Sequence, residues 1–383
     1  MMKYFKIIIQ LFLKMKITIV AGARPNFIKI SPLINSINKC IKNGNDMNFR
    51  LVHTGQHYDK AMSGSFFEQL NIKNPDINLE CGGGTQAEQT ASIMMKFEKE
   101  LLENKPDIVL VVGDVTSTMA CTITSKKLCI DVAHIEAGIR SYDMTMPEEI
   151  NRIITDSICD YYFITTKNAG RNLINQNINK EKIHFVGNTM IDTLIQNIEN
   201  IRKPYFFTKN KIKIKEYFLL TLHRPSNVDN QESLKMLLEN ILDSTINKVV
   251  IFPVHPRTKE NLDKINFTHP NLLIIEPQGY LEFLFLINNS MGIITDSGGI
   301  TEEATFLNIP CLTLRNSTER PETVKIGTNK LLGNNLKNIK KSIHKIIEKK
   351  WKKGRIPKFW DGNTSDRIIS ILYSKYHMNE LIK

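Results

Sequence analysis

Three carboxylates stand where an apolar strand gives way to a loop or a helix: Asp114 in GDVTSTMA, Glu136 in VAHIEAGIR and Glu148 in MPEEINR. Taken singly, each is an ordinary helix cap or ion-pair partner, the commoner use of such a residue. Three of them near one sheet edge form a cluster able to take a proton from a substrate and return it. Glu149 and Arg152 read as structural partners within their own segment, with Arg152 also placed to steady a neighbouring carboxylate.

A second set of residues suits an anion. In AGARPNFIKISPL, Gly22 permits a tight turn, Arg24 offers a planar fork for phosphate, and Lys29 follows about one helical turn later. LTLHRPSNVD places His223 and Arg224 after a strand, and VHPRT repeats the arrangement with His255 and Arg257. The stretch GIITDSGGITEEATF reads as strand, tight Ser297-Gly298-Gly299 turn and helix. Its glycines admit close backbone approach, and the amides at the helix start face a bound phosphate. Glu302 and Glu303 are expected in the first turn, where the helix dipole favours them, one of them able to accept from a ribose, while Arg320 approaches the same pocket. Neither GxGxxG nor GxxxxGK[ST] occurs, so neither a standard dinucleotide site nor a P-loop is supported. The six cysteines contain no CxxC pair and the nine histidines do not cluster at ligand spacing, which predicts reduced, mostly buried thiols and no metal site.

The elements that must position these residues are those of an α/β fold. Apolar runs rich in Val and Ile fall at 17–21, 50–54, 108–112, 131–135, 162–165 and 183–186, and again at 217–221, 248–253, 272–275, 292–295 and 310–314. They do not alternate with polar residues, as expected of parallel strands covered on both faces. Stretches such as 86–104 and 232–245 carry helical spacing between them. The expectation is two Rossmann-like, doubly wound domains facing a cleft, 16–200 with the carboxylates and 201–365 for the nucleotide, followed by a helix over 366–383. Residues 1–15 are expected to be an extension or a mis-set start, with Met15 beginning the first strand; no small-residue cleavage site follows them. No apolar run approaches the roughly 18 residues of a membrane span. Fifty-one basic against thirty-nine acidic residues give a net charge of +12, but no basic block interleaves with aromatics, so nucleic acid is not an expected partner.

AGARPNFIK, GDVTSTMA, VAHIEAGIRS, MPEEINR, VGNTMIDTL, LTLHR, PQGYLEF, TDSGGITEEA and TERPE occur in this order. Together they resemble the non-hydrolysing UDP-N-acetylglucosamine 2-epimerases, over nearly the whole chain from Met15. The resemblance implies a fold like that of the GT-B glycosyltransferases, a final helix over 366–383 that crosses back to the first domain, a cytoplasmic homodimer, a UDP-sugar substrate and no cofactor. It implies catalytic roles for Asp114, Glu136, Glu148 and His223, and substrate contacts at Arg24, Lys29, Gln278, Phe283, Ser297, Gly298, Gly299, Glu303 and Arg320. Gln278 and Phe283 enter on the resemblance alone; the bland reading of Phe283 is core packing. Two departures stand out. Arg224 is followed by Pro225 where several bacterial members have a second arginine, and Gln56-His57 is followed by Tyr58 where they have an arginine, near the family's allosteric site.

Carbon 2 of a nucleotide sugar is not adjacent to a carbonyl, so its proton is not easily removed. Elimination of UDP to a glycal and re-addition on the other face solves this without a redox cofactor. Carboxylates would handle the proton, and cations and amides the departing pyrophosphate. The resemblance implies conversion of UDP-N-acetylglucosamine to UDP-N-acetylmannosamine for surface polysaccharide synthesis. Rival expectations are a 2-epimerase of UDP-2,3-diacetamido-uronic acids, a hydrolysing epimerase releasing N-acetylmannosamine, a GT-B glycosyltransferase, and a non-catalytic sugar-nucleotide or nucleic-acid binder.

Overall fold

A computed structural model describes residues 14–55, 67–254 and 256–382, and these divide into two units, 1–196 with 358–383, and 197–357. In the first unit seven parallel strands lie in the order β3-β2-β1-β4-β5-β6-β7. They are β1 (Met15–Ala21), β2 (Met47–His53), β3 (Ile77–Asn78), β4 (Ile108–Val112), β5 (Asp131–Ile135), β6 (Tyr161–Ile164) and β7 (Ile183–Phe185). All of β4 is buried, as its unbroken IVLVV run requires of a strand with helices on both faces. The second unit holds six parallel strands in the order β10-β9-β8-β11-β12-β13. These are β8 (Tyr217–Thr221), β9 (Val249–Pro253), β10 (Leu272–Ile275), β11 (Gly292–Thr295), β12 (Cys311–Thr313) and β13 (Asn329–Leu331). Both sheets are Rossmann-like, and in both the order reverses beside the first strand of the unit, so β1/β4 and β8/β11 are the switch points.

Each sheet has its own core. Phe97, Val109, Val111, Val132 and Tyr162 pack together in the first unit, and Phe218, Leu238, Val250, Ile294 and Ile343 in the second. β3 and β13 have no counterpart in the expected strands, because two or three residues at a sheet edge make too short a run to register as periodicity. Four cysteines are buried as expected, but Cys129 is exposed, since it ends the helix Thr116–Lys127 in a left-handed turn at φ 55° rather than in the strand that follows. Among the described residues no helix is long and apolar enough to cross a membrane.

The return to the first unit begins at Lys358, eight residues before the expected 366. Phe359 stacks edge-on against Phe185, and Trp360 is buried. The helix Thr364–Ile382 that follows buries Ile368, Ile369 and Leu372. Asp192, on the helix Thr189–Asn197, accepts the amides of Thr364 (3.2 Å) and Ser365 (2.7 Å), while Asp361 pairs with Arg367. At the same junction Gly187 sits at φ 112°, and a Cβ there would stand 2.2 Å from the Phe359 carbonyl oxygen.

Gly187→Ala meets both penalties, positive φ and backbone collision, and should destabilise the first unit by more than about 1 kcal/mol. A denaturant midpoint equal to that of the wild type would show that the Lys358–Ser365 segment yields instead.

Candidate functional sites

The helix Arg24–Lys42 follows β1 after a two-residue link that Asn26 closes. Its Oδ1 accepts the Ala23 amide (2.9 Å) and its Nδ2 donates to the Val112 carbonyl (3.1 Å), tying the exit of β1 to that of β4. Gly22 is required for space rather than for turn geometry, because a Cβ there would lie 2.1 Å from Ser117 Oγ. Lys29, one turn into the helix, reaches the fully buried Glu136, with Nζ 2.7 Å from Oε2. Glu136 follows β5 in the left-handed region at φ 69°. That conformation costs a non-glycine residue about 1–2 kcal/mol, so its surroundings must hold it. The Glu136 and Ala137 amides both donate to the Phe163 carbonyl on β6 (3.0 and 3.2 Å).

Asp114 follows β4 by two residues and is half-buried. It is not the cap of the helix Thr116–Lys127, whose N-cap position is Val115. The buried Arg152 donates to Asp114 Oδ2 through Nη2 (2.6 Å), and Asn151 donates to the Asp114 carbonyl (2.9 Å). Glu148 is exposed in the first turn of the helix Pro147–Ile158. Its neighbour Glu149 is buried and accepts from Ser141 N (2.7 Å) and Oγ (2.9 Å), the structural role expected of it. Beneath this edge lies a group that motif reading passed over. His134 Nδ1 is 2.7 Å from Asp156 Oδ1 and its Nε2 donates to the Gly113 carbonyl (2.8 Å). Asp156 Oδ2 also accepts from Arg140 (2.6 Å) and the Gly138 amide (3.0 Å). Burial by itself would push the Asp156 carboxyl up, but the His134 ring and the Arg140 guanidinium outweigh it and hold the group below the ordinary range. Only the identity of His134, one apolar residue before Glu136 in the same strand exit, signals this in the sequence.

In the second unit His223 stands two residues beyond β8, with its Nδ1 2.7 Å from Asp296 Oδ1. Asp296 is buried at the exit of β11 and also accepts the His223 and Arg224 amides and the Asn227 side chain (3.0 Å). Burial again opposes the charge, and these hydrogen bonds, His223 foremost, keep the Asp296 carboxyl below its usual range. Asp296 is the organiser of this edge, though its signal was only its place before Ser297. The helix Gly298–Phe306 begins on Gly298, so both glycines lie inside its first turn and Ser297 is the N-cap. Glu302 and Glu303 are therefore the fifth and sixth helical residues, not first-turn residues as expected, and both are buried. Glu302 Oε1 meets Arg320 Nε at 2.7 Å. Burial pushes the Glu303 carboxyl up to about 8, with the Glu302 charge adding to the rise and a hydrogen bond from Tyr280 opposing it. Arg315 makes two contacts with Glu319 (2.9 and 2.6 Å) close to Gly298. Gln278 donates to the Glu276 carbonyl (2.7 Å), and Phe283 is half-buried on the helix Tyr280–Asn289.

The structure thus joins Lys29 to Glu136, Asp114 to Arg152, His223 to Asp296, and Arg320 to Glu302. It leaves Glu148 exposed on its helix. The Arg24 side chain, the His255–Arg257 side chains and the segment around Gln56, His57 and Tyr58 lie outside the described residues. Among the described residues, no group of three or more His, Cys, Asp or Glu side chains is arranged to hold a metal ion.

Residues 39–373 match the family model for UDP-N-acetylglucosamine 2-epimerase. A UDP-N-acetylglucosamine 2-epimerase from Methanocaldococcus jannaschii is 44% identical over 378 residues, covering 94% of this chain and 100% of the relative. The crystal structure of the Methanocaldococcus jannaschii enzyme in complex with UDP-GlcNAc and UDP superimposes with a TM-score of 0.83, covering 94% of this chain and 99% of that one. A UDP-2,3-diacetamido-2,3-dideoxy-D-glucuronate 2-epimerase from Pseudomonas aeruginosa is 40% identical over 322 residues, covering 83% of this chain and 88% of the relative.

The raised Glu303 carboxyl makes a pH prediction with a definite sign. Between its ordinary 4.5 and about 8 the folded state holds a proton that the unfolded chain releases. Its contribution to stability is therefore full at pH below 4.5, declines as pH rises, and is lost above about 8. Glu303→Gln should flatten that decline in the unfolding of the second unit. An unchanged slope across the window would assign it to another group.

Proposed function

Because the chain belongs to the UDP-N-acetylglucosamine 2-epimerase family, we propose that it interconverts UDP-N-acetylglucosamine and UDP-N-acetylmannosamine by inverting carbon 2. The observation that carries the reading is the carboxyl edge of the first sheet, where a half-buried Asp114, a sealed Glu136 and an exposed Glu148 follow one another along adjacent strands and the next helix. In the proposed reaction a carboxylate takes the proton from carbon 2 while the bond from carbon 1 to the pyrophosphate oxygen breaks. The products are UDP and a 2-acetamido glycal. A proton returned to carbon 2 from the opposite side, and re-addition of UDP at carbon 1, give the other epimer. No electron carrier enters the balance. Asp114, Glu136 and Glu148 handle the proton, and Lys29 holds the buried Glu136 carboxylate in place.

The second unit supplies the elements for UDP. The amides opening the helix Gly298–Phe306, with Ser297, Gly298 and Gly299, receive phosphate oxygens; Glu303 faces the ribose; Arg320, positioned by Glu302, supports the pyrophosphate; Gln278 and Phe283 attend the base. His223, held by Asp296, serves the leaving group. For Arg24, whose side chain lies outside the described residues, the family resemblance alone argues a substrate contact. The protein acts as a cytoplasmic homodimer that makes activated N-acetylmannosamine for surface polysaccharide. The likeness to the Pseudomonas aeruginosa enzyme supports a second reading, in which the sugar is a UDP-2,3-diacetamido-uronic acid.

Incubation with each UDP-sugar in deuterated water tests both readings. Deuterium should enter carbon 2 of both epimers from UDP-N-acetylglucosamine, with no free N-acetylmannosamine and an activity that survives EDTA. Exchange with the uronic acid alone would transfer the assignment to the second reading, and release of free sugar would make the enzyme a hydrolase. Asp114→Asn, Glu136→Gln and Glu148→Gln should each slow turnover by about 10²–10⁴-fold while retaining UDP binding. Wild-type exchange in all three variants would remove the catalytic assignment.

A further inference from the structure

His134 is wholly buried, and a histidine in that state is ordinarily packed with its nitrogens satisfied by whatever lies nearest. Its partners here are selective. β4 and β5 run parallel with Val111 opposite His134, so the ring projects forward to the point where β4 ends. There Nε2 donates to the carbonyl of Gly113, the residue before Asp114. The Gly113 amide is bonded to the Ile135 carbonyl (3.0 Å), so this peptide pair is held from β5 at both ends. On its other side the ring meets Asp156, whose second oxygen takes the Gly138 amide and the Arg140 guanidinium, two and four residues beyond Glu136. One imidazole therefore sits between the turn that presents Asp114 and the loop that presents Glu136.

We propose that His134 is a positioning residue that fixes the Gly113 turn carrying Asp114 against the Asp156-anchored loop carrying Glu136. The inference rests on the epimerase reading above and adds to it a group that touches neither substrate nor product. Relaxing the link lets the two carboxylates shift against each other, and a displacement of about 1 Å between reacting groups can cost about 10²-fold in rate.

The two nitrogens can be removed separately. Asn at position 134 carries its amide nitrogen where Nδ1 stands and keeps the Asp156 contact; Gln carries it where Nε2 stands and keeps the Gly113 contact. The full-length chain bearing His134→Asn should lose kcat for UDP-N-acetylglucosamine by about 10²-fold, with KM and UDP affinity unchanged. His134→Gln should recover much of that loss. Combined with Asp114→Asn, His134→Asn should add nothing, because the placement it spoils no longer matters; losses that multiply would overturn the inference. If His134→Asn does not fold, Asp156→Asn, assayed per folded molecule by thermal melt, carries the same expectation for kcat. Wild-type kcat in a folded His134→Asn protein, with only the melting temperature lowered, would reduce His134 to a core residue and leave the epimerase reading intact. A wild-type protein that epimerises no UDP-sugar would overturn that reading and this inference together.

Discussion

The carboxylate-bearing edge of the first unit is organised around the ion pair between Lys29 and Glu136. A carboxylate taken fully out of water costs several kcal/mol unless a counter-charge and hydrogen bonds replace its hydration. The strand order supplies the counter-charge. Lys29 lies on the helix that follows β1, and β1 and β5 both pair with β4, so the lysine must pass over the exit of β4 to reach a glutamate at the exit of β5. Gly113 turns the chain beneath that passage at φ 72°, the conformation that calls for glycine; a Cβ there would only touch Lys29 Nζ (3.4 Å) and Glu136 Oε2 (3.9 Å). Asn26, bonded to Val112, keeps the helix start in register with that exit. Removing either charge would leave the other buried and uncompensated, a change of about 3–5 kcal/mol, so the pair constrains everything on this edge that shares its backbone.

The second unit uses a buried carboxylate differently. Among the described residues no lysine or arginine pairs with Asp296; it gathers two backbone amides, the Asn227 amide and the His223 ring. The result is a fixed geometry for the loop after β8, which pairs with β11 in register from Gly292 to Thr295 and is tied to it by the Thr221–Thr295 hydroxyl contact (2.6 Å). Asp192 does the same for the returning helix by holding its first amides. In each case a carboxylate distant in sequence does the work of a local cap, which stabilises a junction between elements as well as the end of one.

This is why the sequence discloses some of the molecule and conceals the rest. Unbroken Val and Ile runs announce the central strands, since burial on both faces leaves no choice of residue type, and the strand-end motifs announce their loops. The link from Lys29 to Glu136 joins two named candidates but spans 107 residues, and no local pattern states it. Asp156 looks like any helical aspartate until β5 and β6 bring His134 and Gly138 beside it. Glu302 and Glu303 lie further into their helix than the sequence suggests, because a glycine pair reads as a turn, whereas here the helix starts on the first glycine and the backbone opening is its first turn. Their burial follows from that shift of register.

The surroundings of the three proposed catalytic carboxylates also decide what an amide variant of each would mean. Glu136→Gln leaves Lys29 facing a neutral group in the interior, and Asp114→Asn does the same to the buried Arg152. Lost turnover in those proteins mixes chemistry with repacking of an unpaired cation. Glu148 is exposed in the first turn of its helix, where replacement by glutamine gives up at most a dipole interaction of about 0.3–1 kcal/mol. A loss of several hundredfold corresponds to more than 3 kcal/mol in the barrier, about 1.4 kcal/mol for each factor of ten. Such a loss at Glu148 exceeds anything its structural setting can account for, so it is at this exposed residue that mutational kinetics reports most directly on proton transfer.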